Sequence, residues 1–308
     1  MSTRKFKYCL FLLLIHFIVH AQNKVMRFNR IISNNIISNN SINEIIQDKY
    51  GFIWIATSNG LNRFDGYNFK IYKNKSSHED ELNETVIREL LIDKQQNLWV
   101  FGDNLNMYDD QKDIFIQYTN PYKAAITKVT NDYKDNFWFN GSNTGKLLKF
   151  DQHSKKFSDI GSQISFLKNT ANVIILGIDK SDNIWIQADY DIFRLNLRKY
   201  YSGILDYKCF KKQYYYKCFY EEVNHDILLG NDKYGWYKYN KISDSIILLS
   251  GKKGIFDPIR DEQIISIIVD RNGWTWIATF GIYVFDKNGK LMSHLINNSF
   301  DQTSIPNN

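Results

Sequence analysis

Short apolar runs broken by polar turns recur along the chain from about residue 41 to residue 296. Between residues 86 and 118 the runs are Val86–Ile92, Leu98–Phe101, Leu105–Tyr108 and Ile114–Tyr118. Polar breaks rich in Asp, Asn, Gln and Gly separate them, at Asp93–Asn97, Gly102–Asn104 and Asp109–Lys112. Runs of this length, rich in branched and aromatic residues and closed by turn formers, predict strands. The first copy has the same layout, with Ile42–Gln47, Phe52–Ala56, Leu61–Phe64 and Phe69–Tyr72. No segment beyond the extreme N-terminus carries a sustained helical period, so the chain is predicted to be all-β.

The four-strand unit repeats. Its fixed point is an aromatic on the second strand, reading Trp54, Trp99, Trp138, Trp185, then Leu229 in a degraded fifth copy, and Trp276. The turn before it reads Asp48-Lys-Tyr-Gly51 in the first copy and Asp270-Arg-Asn-Gly273 in the last, with Asp93, Asp135 and Asp179 between. Fixed periods of this size mean a repeat architecture in which each unit buries its apolar face against the next. Helical repeats need two helices per unit and leucine-rich ones a shorter period. Four short strands per unit are the blade of a β-propeller, here with antiparallel blades. A large flat indole fills the wedge between adjacent sheets, and Gly51 and Gly273 permit a tight reversal. Trp54, Trp99, Trp138, Leu229, Trp185 and Trp276 are therefore read as packing residues.

Six complete blades span about 41–296. Lys24–Phe28 resembles an outer strand with no blade of its own. Residues 297–308 resemble the lead-in to a further blade, as Ile37–Ile42 leads into the first. This predicts the front of a seven-bladed ring whose last blade is missing; a six-bladed ring with a frayed tail is the competing arrangement.

Residues 1–21 read as a secretory signal, with Arg4, Lys5 and Lys7 ahead of an apolar stretch Leu10–Val19 and small residues before Gln22. The stretch is short for a membrane span, which needs about 20 apolar residues. The expected domain is then 22–308, exported to the periplasm. Of the formal charge of +6, three positive charges lie in the signal, and the rest are mixed among acidic residues. That is a solvated surface without a nucleic-acid footprint. Cys209 and Cys218 remain, and the compartment would permit their pairing, although they flank a blade junction.

The phrase from Ile45 to Gly66, with Asp48, Gly51, Trp54, Gly60, Leu61, Phe64 and Asp65 at its fixed points, resembles the two-component regulator propeller repeats. These form the periplasmic sensor regions of hybrid histidine kinases in Bacteroidetes-type bacteria. The resemblance runs over about 22–308 and weakens in the third unit (Asn140-Gly141 for Ala56-Thr57) and the fifth. It implies ligand sensing, typically of glycan fragments. It also implies self-association or the remainder of a split sensor kinase as partner, with the membrane met only through downstream segments. No cofactor is implied.

Catalytic signatures are sparse. His78, His153, His225 and His294 stand apart, without metal-ligand spacing. The Asp-x-x-Gly-x-x-Trp phrase is similar to the aspartate box of sialidases, a structural turn remote from their catalysis. Hydrolysis would need a carboxylate pair or a tyrosine with an arginine cluster. Arg63 and Arg194 share a place in the repeat, which is not a constellation. The chain is read as a non-catalytic ligand-sensing propeller, with a stand-alone envelope interaction scaffold and a glycan-active enzyme as alternatives. Candidate ligand-binding residues lie on connections between second and third strands: Asn59, Asp103, Asn104, Asn143, Tyr190, Lys233 and Tyr234. Hydrogen-bonding groups beside flat rings suit a sugar.

Overall fold

The computed structural model describes residues 28, 37–74, 82–142, 145–168, 170–211, 215–222, 224–231, 236–248, 259, 262–298 and 304–305. Among the described residues, twenty-four strands form six four-stranded antiparallel sheets, each built from strands consecutive in sequence. Blade 1 comprises Ile42–Gln47, Ile53–Thr57, Gly60–Phe64 and Phe69–Tyr72, and blade 2 Glu89–Ile92, Leu98–Phe101, Leu105–Asp109 and Ile114–Tyr118. Blade 3 comprises Ile126–Asn131, Phe137–Gly141, Lys146–Asp151 and Lys156–Asp159; blade 4 Val173–Ile178, Asn183–Ala188, Asp191–Asn196 and Tyr207–Phe210. Blade 5 comprises Tyr216–Glu221, Ile227–Asn231, Trp236–Asn240 and Ser245–Leu248; blade 6 Ser266–Val269, Thr275–Ala278, Ile282–Phe285 and Leu291–Leu295. The first strands of successive blades adjoin one another, so they are the inner strands of a propeller.

The turn between first and second strands explains the repeat. In blade 2, Asp93 Oδ1 accepts the Asn97 amide at 2.8 Å and Asp93 Oδ2 accepts the Trp99 indole N–H at 2.8 Å. The aspartate closes the reversal and satisfies the one polar atom of a ring that is otherwise buried. The same indole bond joins Trp54 to Asp48, Trp138 to Asp132, Trp185 to Asp179 and Trp276 to Asp270. The partner of Trp138 is thus Asp132, not the expected Asp135. Two aspartates crowd this turn, and only Asp132 stands six residues before the ring, where the indole can reach it.

The repeat tryptophans of blades 1 to 4 pack forward onto the next blade. Trp54 clusters with Leu90, Leu98 and Val100, Trp99 with Ile126 and Phe139, Trp138 with Ile184 and Ile186, and Trp185 with Ile227 and Leu229. All four rings are fully buried. Leu229, expected in the tryptophan's place, belongs to the opposite face. Trp54 pairs across the sheet with Ile46 and Arg63, and Leu228 pairs likewise with Tyr220 and Lys238. Leu228 packs forward with Ile264, Ile277 and Phe285, while Leu229 packs back onto Trp185. Strand side chains alternate between faces, so a shift of one residue exchanges the two roles.

The turn between third and outer strands of one blade reaches back over the tryptophan of the blade before. Asp113 accepts Tyr108 Oη and Tyr72 Oη, each at 2.7 Å, and Arg63 donates to Tyr108 Oη at 3.0 Å. The group recurs one half-propeller later, where Arg194 and Lys208 meet Asp244 at 2.7 and 2.8 Å and Tyr239 donates to Asp244 at 2.8 Å. Lys155 covers Trp99, its ammonium 5.7 Å from the ring centre. Over Trp138 the cover is a short helix, Leu197–Tyr201, in blade 4, which the strand pattern did not anticipate. Asn196 caps it through Lys199 N–H, and Gly203, at φ 86°, follows it. Tyr200 packs edge-on to Trp138, and the Tyr201 hydroxyl donates to Asp132.

Cys209 lies on the outer strand of blade 4 and Cys218 on the inner strand of blade 5; both are free thiols. The strand expected at Lys24–Phe28 falls outside the described residues, Phe28 excepted, as do residues 1–21. Of the expected lead-in, Asn297 bridges Ile305 in parallel, and Asn298 N–H donates to Ser304 Oγ at 3.0 Å.

Candidate functional site

Because every blade has the same strand order, the six connections between second and third strands emerge at one end. The aspartate turns emerge at the other. The first end holds Asn59, Asp103, Asn104 and Tyr190 of the expected binding residues.

In blade 1, Thr57 Oγ1 accepts Asn59 N–H at 3.1 Å and donates to Gly60 O at 2.8 Å. Gly60 has φ 115°, and a Cβ there would lie 2.7 Å from Tyr72 O. The turn thus requires glycine and leaves the Asn59 side chain exposed. In blade 2 the loop is anchored by Glu84, a buried carboxylate that the sequence did not single out. Glu84 accepts Asp103 N–H at 2.9 Å, Asn104 N–H at 2.8 Å and Asn104 Nδ2 at 2.9 Å. Desolvation raises its pKa against these donors. Asn104 Oδ1 also accepts Asn120 N–H at 3.1 Å, so Asn104 holds the loop. Asp103 projects outward and pairs with Arg88 at 3.0 Å.

In blade 4, Asp189 (φ 52°) accepts the amides of Ala171 and Asn172 at 3.2 and 3.0 Å, fixing the connection from blade 3. Tyr190, next along, is 53% exposed and packs against Tyr215 with ring centres 5.0 Å apart. Lys211 and Asp191 form an ion pair beside it. Asn143, Lys233 and Tyr234 lie outside the described residues. Blade 6 adds a ring absent from the sequence candidates. Phe280 sits on the tight connection between Thr279 and Gly281, 88% exposed. Its signal was a lone aromatic between the Trp276 strand and the Ile282 run.

The end of the propeller therefore presents exposed rings on blades 4 and 6 and a carboxamide and carboxylate on blades 1 and 2. Among the described residues no group of three or more His, Cys, Asp or Glu could hold a metal ion. His153 and His225 sit in turns, and His294 stacks on Tyr283 at 3.9 Å. Among the described residues no helix is long and apolar enough to cross a membrane.

Residues 36–59 match the family described as Two component regulator propeller. A stretch of 54 residues, 18% of the chain, is 44% identical to histidine kinase P4 of Formosa agariphila, covering 4% of that protein. Among solved structures, the extracellular domain of the putative hybrid two component system BT3049 from B. thetaiotaomicron superposes with a TM-score of 0.70 at 21% identity. That match covers 92% of this chain and 38% of the other. Catalytically inactive virginiamycin B lyase from Staphylococcus aureus shares the fold more loosely, at a TM-score of 0.62 and 13% identity over 85% of this chain and 86% of that one. The chain spans a small part of the kinase and well under half of the BT3049 domain.

Proposed function

We propose that this propeller, bearing the two component regulator repeat, is a non-catalytic sensor module exported out of the cytoplasm. Residues 1–21 direct that export, and residues 22–308 fold as the sensor. Its ligand is an oligosaccharide, bound at the end carrying Tyr190 and Phe280. One observation carries the assignment of the site: on this end the described connections of blades 1, 2, 4 and 6 differ in the groups they present and expose Tyr190 and Phe280. The opposite turns repeat one structural bond in five blades, although they too expose rings, at Tyr50 and Tyr67. An exposed ring offers a flat apolar surface to a pyranose, and Asn59 and Asp103 offer partners for its hydroxyls. The sensor role is supported by the repeat match at 36–59 and the likeness to the kinase segment. Signalling runs through a kinase supplied in the same or another chain.

Isothermal titration of residues 22–308 with depolymerised polysaccharides tests the site. Saturable heat that Phe280→Ala or Tyr190→Ala weakens at least tenfold is expected. Binding unaffected by both substitutions places the ligand elsewhere, and release of reducing sugar restores the enzymatic alternative.

Trp276 supports one further step. It keeps its aspartate bond but is only half-buried, with Ile268 exposed beside it on the same face. A seventh blade would cover this face as each earlier tryptophan is covered. In a longer chain, loss of iodide quenching at Trp276 supports that reading, and unchanged quenching removes it.

A further inference from the structure

Six residues share one level on the inner strands. Glu44, Glu89, Lys128, Ile174, Cys218 and Ser266 each pair with the residue two beyond the tryptophan position of their blade. Blades 1 to 3 thus set two carboxylates and an ammonium side by side on adjoining strands. Lys128 Nζ lies 3.7 Å from Glu89 Oε1, whose side chain is only 13% exposed. The remaining positions are an isoleucine, a buried thiol and a serine, none of which carries a compensating charge. Arg88, next along the strand from Glu89, is engaged by Asp103.

We propose that this level is a proton-responsive joint between blades 1, 2 and 3, in which the single ammonium of Lys128 cannot balance the carboxylates of both Glu44 and Glu89. Two like charges on the adjoining inner strands of neighbouring blades repel, and a single lysine neutralises only one of them. Protonating either carboxyl removes the conflict. Burial pushes both carboxyls up, and with Lys128 opposing and Glu44 reinforcing, Glu89 reaches about 7. The Cys218 thiol, across the axis, is pushed up to about 12 by burial and stays neutral throughout this range. The sign follows from linkage. A folded-state pKa above the unfolded value means that stability is full at low pH and falls as pH rises from the ordinary glutamate range through about 7. The joint does not depend on the identity of any ligand.

The test is the urea midpoint of the exported chain at pH 5, 6, 7 and 8, for wild type, Glu89→Gln and Lys128→Met. Glu89→Gln is expected to abolish the decline between pH 5 and pH 8. Lys128→Met is expected to move it to higher pH. Parallel curves for wild type and Glu89→Gln overturn the proposal. A titration of wild type labelled with 13C at glutamate carboxyls needs no variant to fold. A glutamate resonance moving near pH 7 supports the joint, and titration of every glutamate in the ordinary range contradicts it.

Discussion

The two ends of this propeller are made from the same repeat and have opposite characters. At one end, five of the six blades use the same bond from an indole N–H to an aspartate six residues earlier. At the other, the described connections between second and third strands differ in what they carry: an exposed asparagine beside a left-handed glycine at Thr57–Gly60, Asp103–Asn104 on a buried glutamate, an exposed tyrosine at Asp189–Tyr190, and an exposed phenylalanine at Thr279–Gly281, which a threonine hydroxyl closes as it does Thr57–Gly60. Repetition within one chain marks what packing demands of every blade. Variation marks where packing leaves side chains free for another task.

Substitutions at the repeated end should cost stability and leave binding alone. The largest effect is expected from Trp99→Ala. Its ring is wholly buried between blades 2 and 3, and such truncations cost about 3–5 kcal/mol. Trp276→Ala should cost markedly less, because its ring is half-buried. Urea denaturation followed by circular dichroism gives both values, and equal losses would contradict the packing assignment.

Asp93→Ala comes next. It leaves the Trp99 indole and the Asn97 amide without their acceptor, and bonds to a charged partner contribute about 1.5–3 kcal/mol. Restoring a neutral acceptor with Asp93→Asn should recover part of the loss in the same assay.

A smaller effect concerns Asp113 and Asp244, the twin carboxylates in the turns over Trp54 and Trp185. Burial alone would raise each pKa. Lys70, Tyr72 and Tyr108 around Asp113, and Lys208, Tyr239 and Arg194 around Asp244, outweigh burial and hold both at about 2. A depressed pKa gives stability that is complete above the ordinary aspartate range and lost as pH falls toward 2. Both groups are partly solvated, so each should contribute under about 1 kcal/mol. Acid denaturation of Asp113→Asn and Asp244→Asn should show shallower losses than wild type between pH 4 and pH 2. Unchanged acid curves would remove this role.

The smallest stability effect belongs to the varied end. Phe280→Ala and Tyr190→Ala remove exposed rings and should change stability by no more than about 0.5 kcal/mol. A large loss of stability in either would mean that these rings belong to the packing after all.

Most of the fold was legible in the sequence because the turn chemistry is local. An aspartate, a reversal and an aromatic within seven residues define five of the six blades without reference to the rest of the chain. Legibility failed by small steps where local chemistry was ambiguous. Leu228 and Leu229 are both apolar, and only the cross-strand partners Tyr220 and Lys238 show which one replaces the tryptophan. Asp132 and Asp135 share a turn, and only the bond to Trp138 separates them. The site was less legible than the fold. Asn104 looked like a free polar group, but its partner Glu84 stands 20 residues away and could not be paired from spacing alone. Phe280 was overlooked because its connection, Thr279–Gly281, is short and carries no charged or carboxamide side chain.

On the proposed reading the varied end binds a saccharide while the repeated end holds the blades. Parallel titrations of wild type, Phe280→Ala and Asp93→Ala with the same oligosaccharide pool address it directly. Phe280→Ala is expected to weaken binding at unchanged stability, and Asp93→Ala, below its melting temperature, to bind as wild type does. Equal binding by Phe280→Ala and wild type, or lost binding in a still-folded Asp93→Ala, would contradict it.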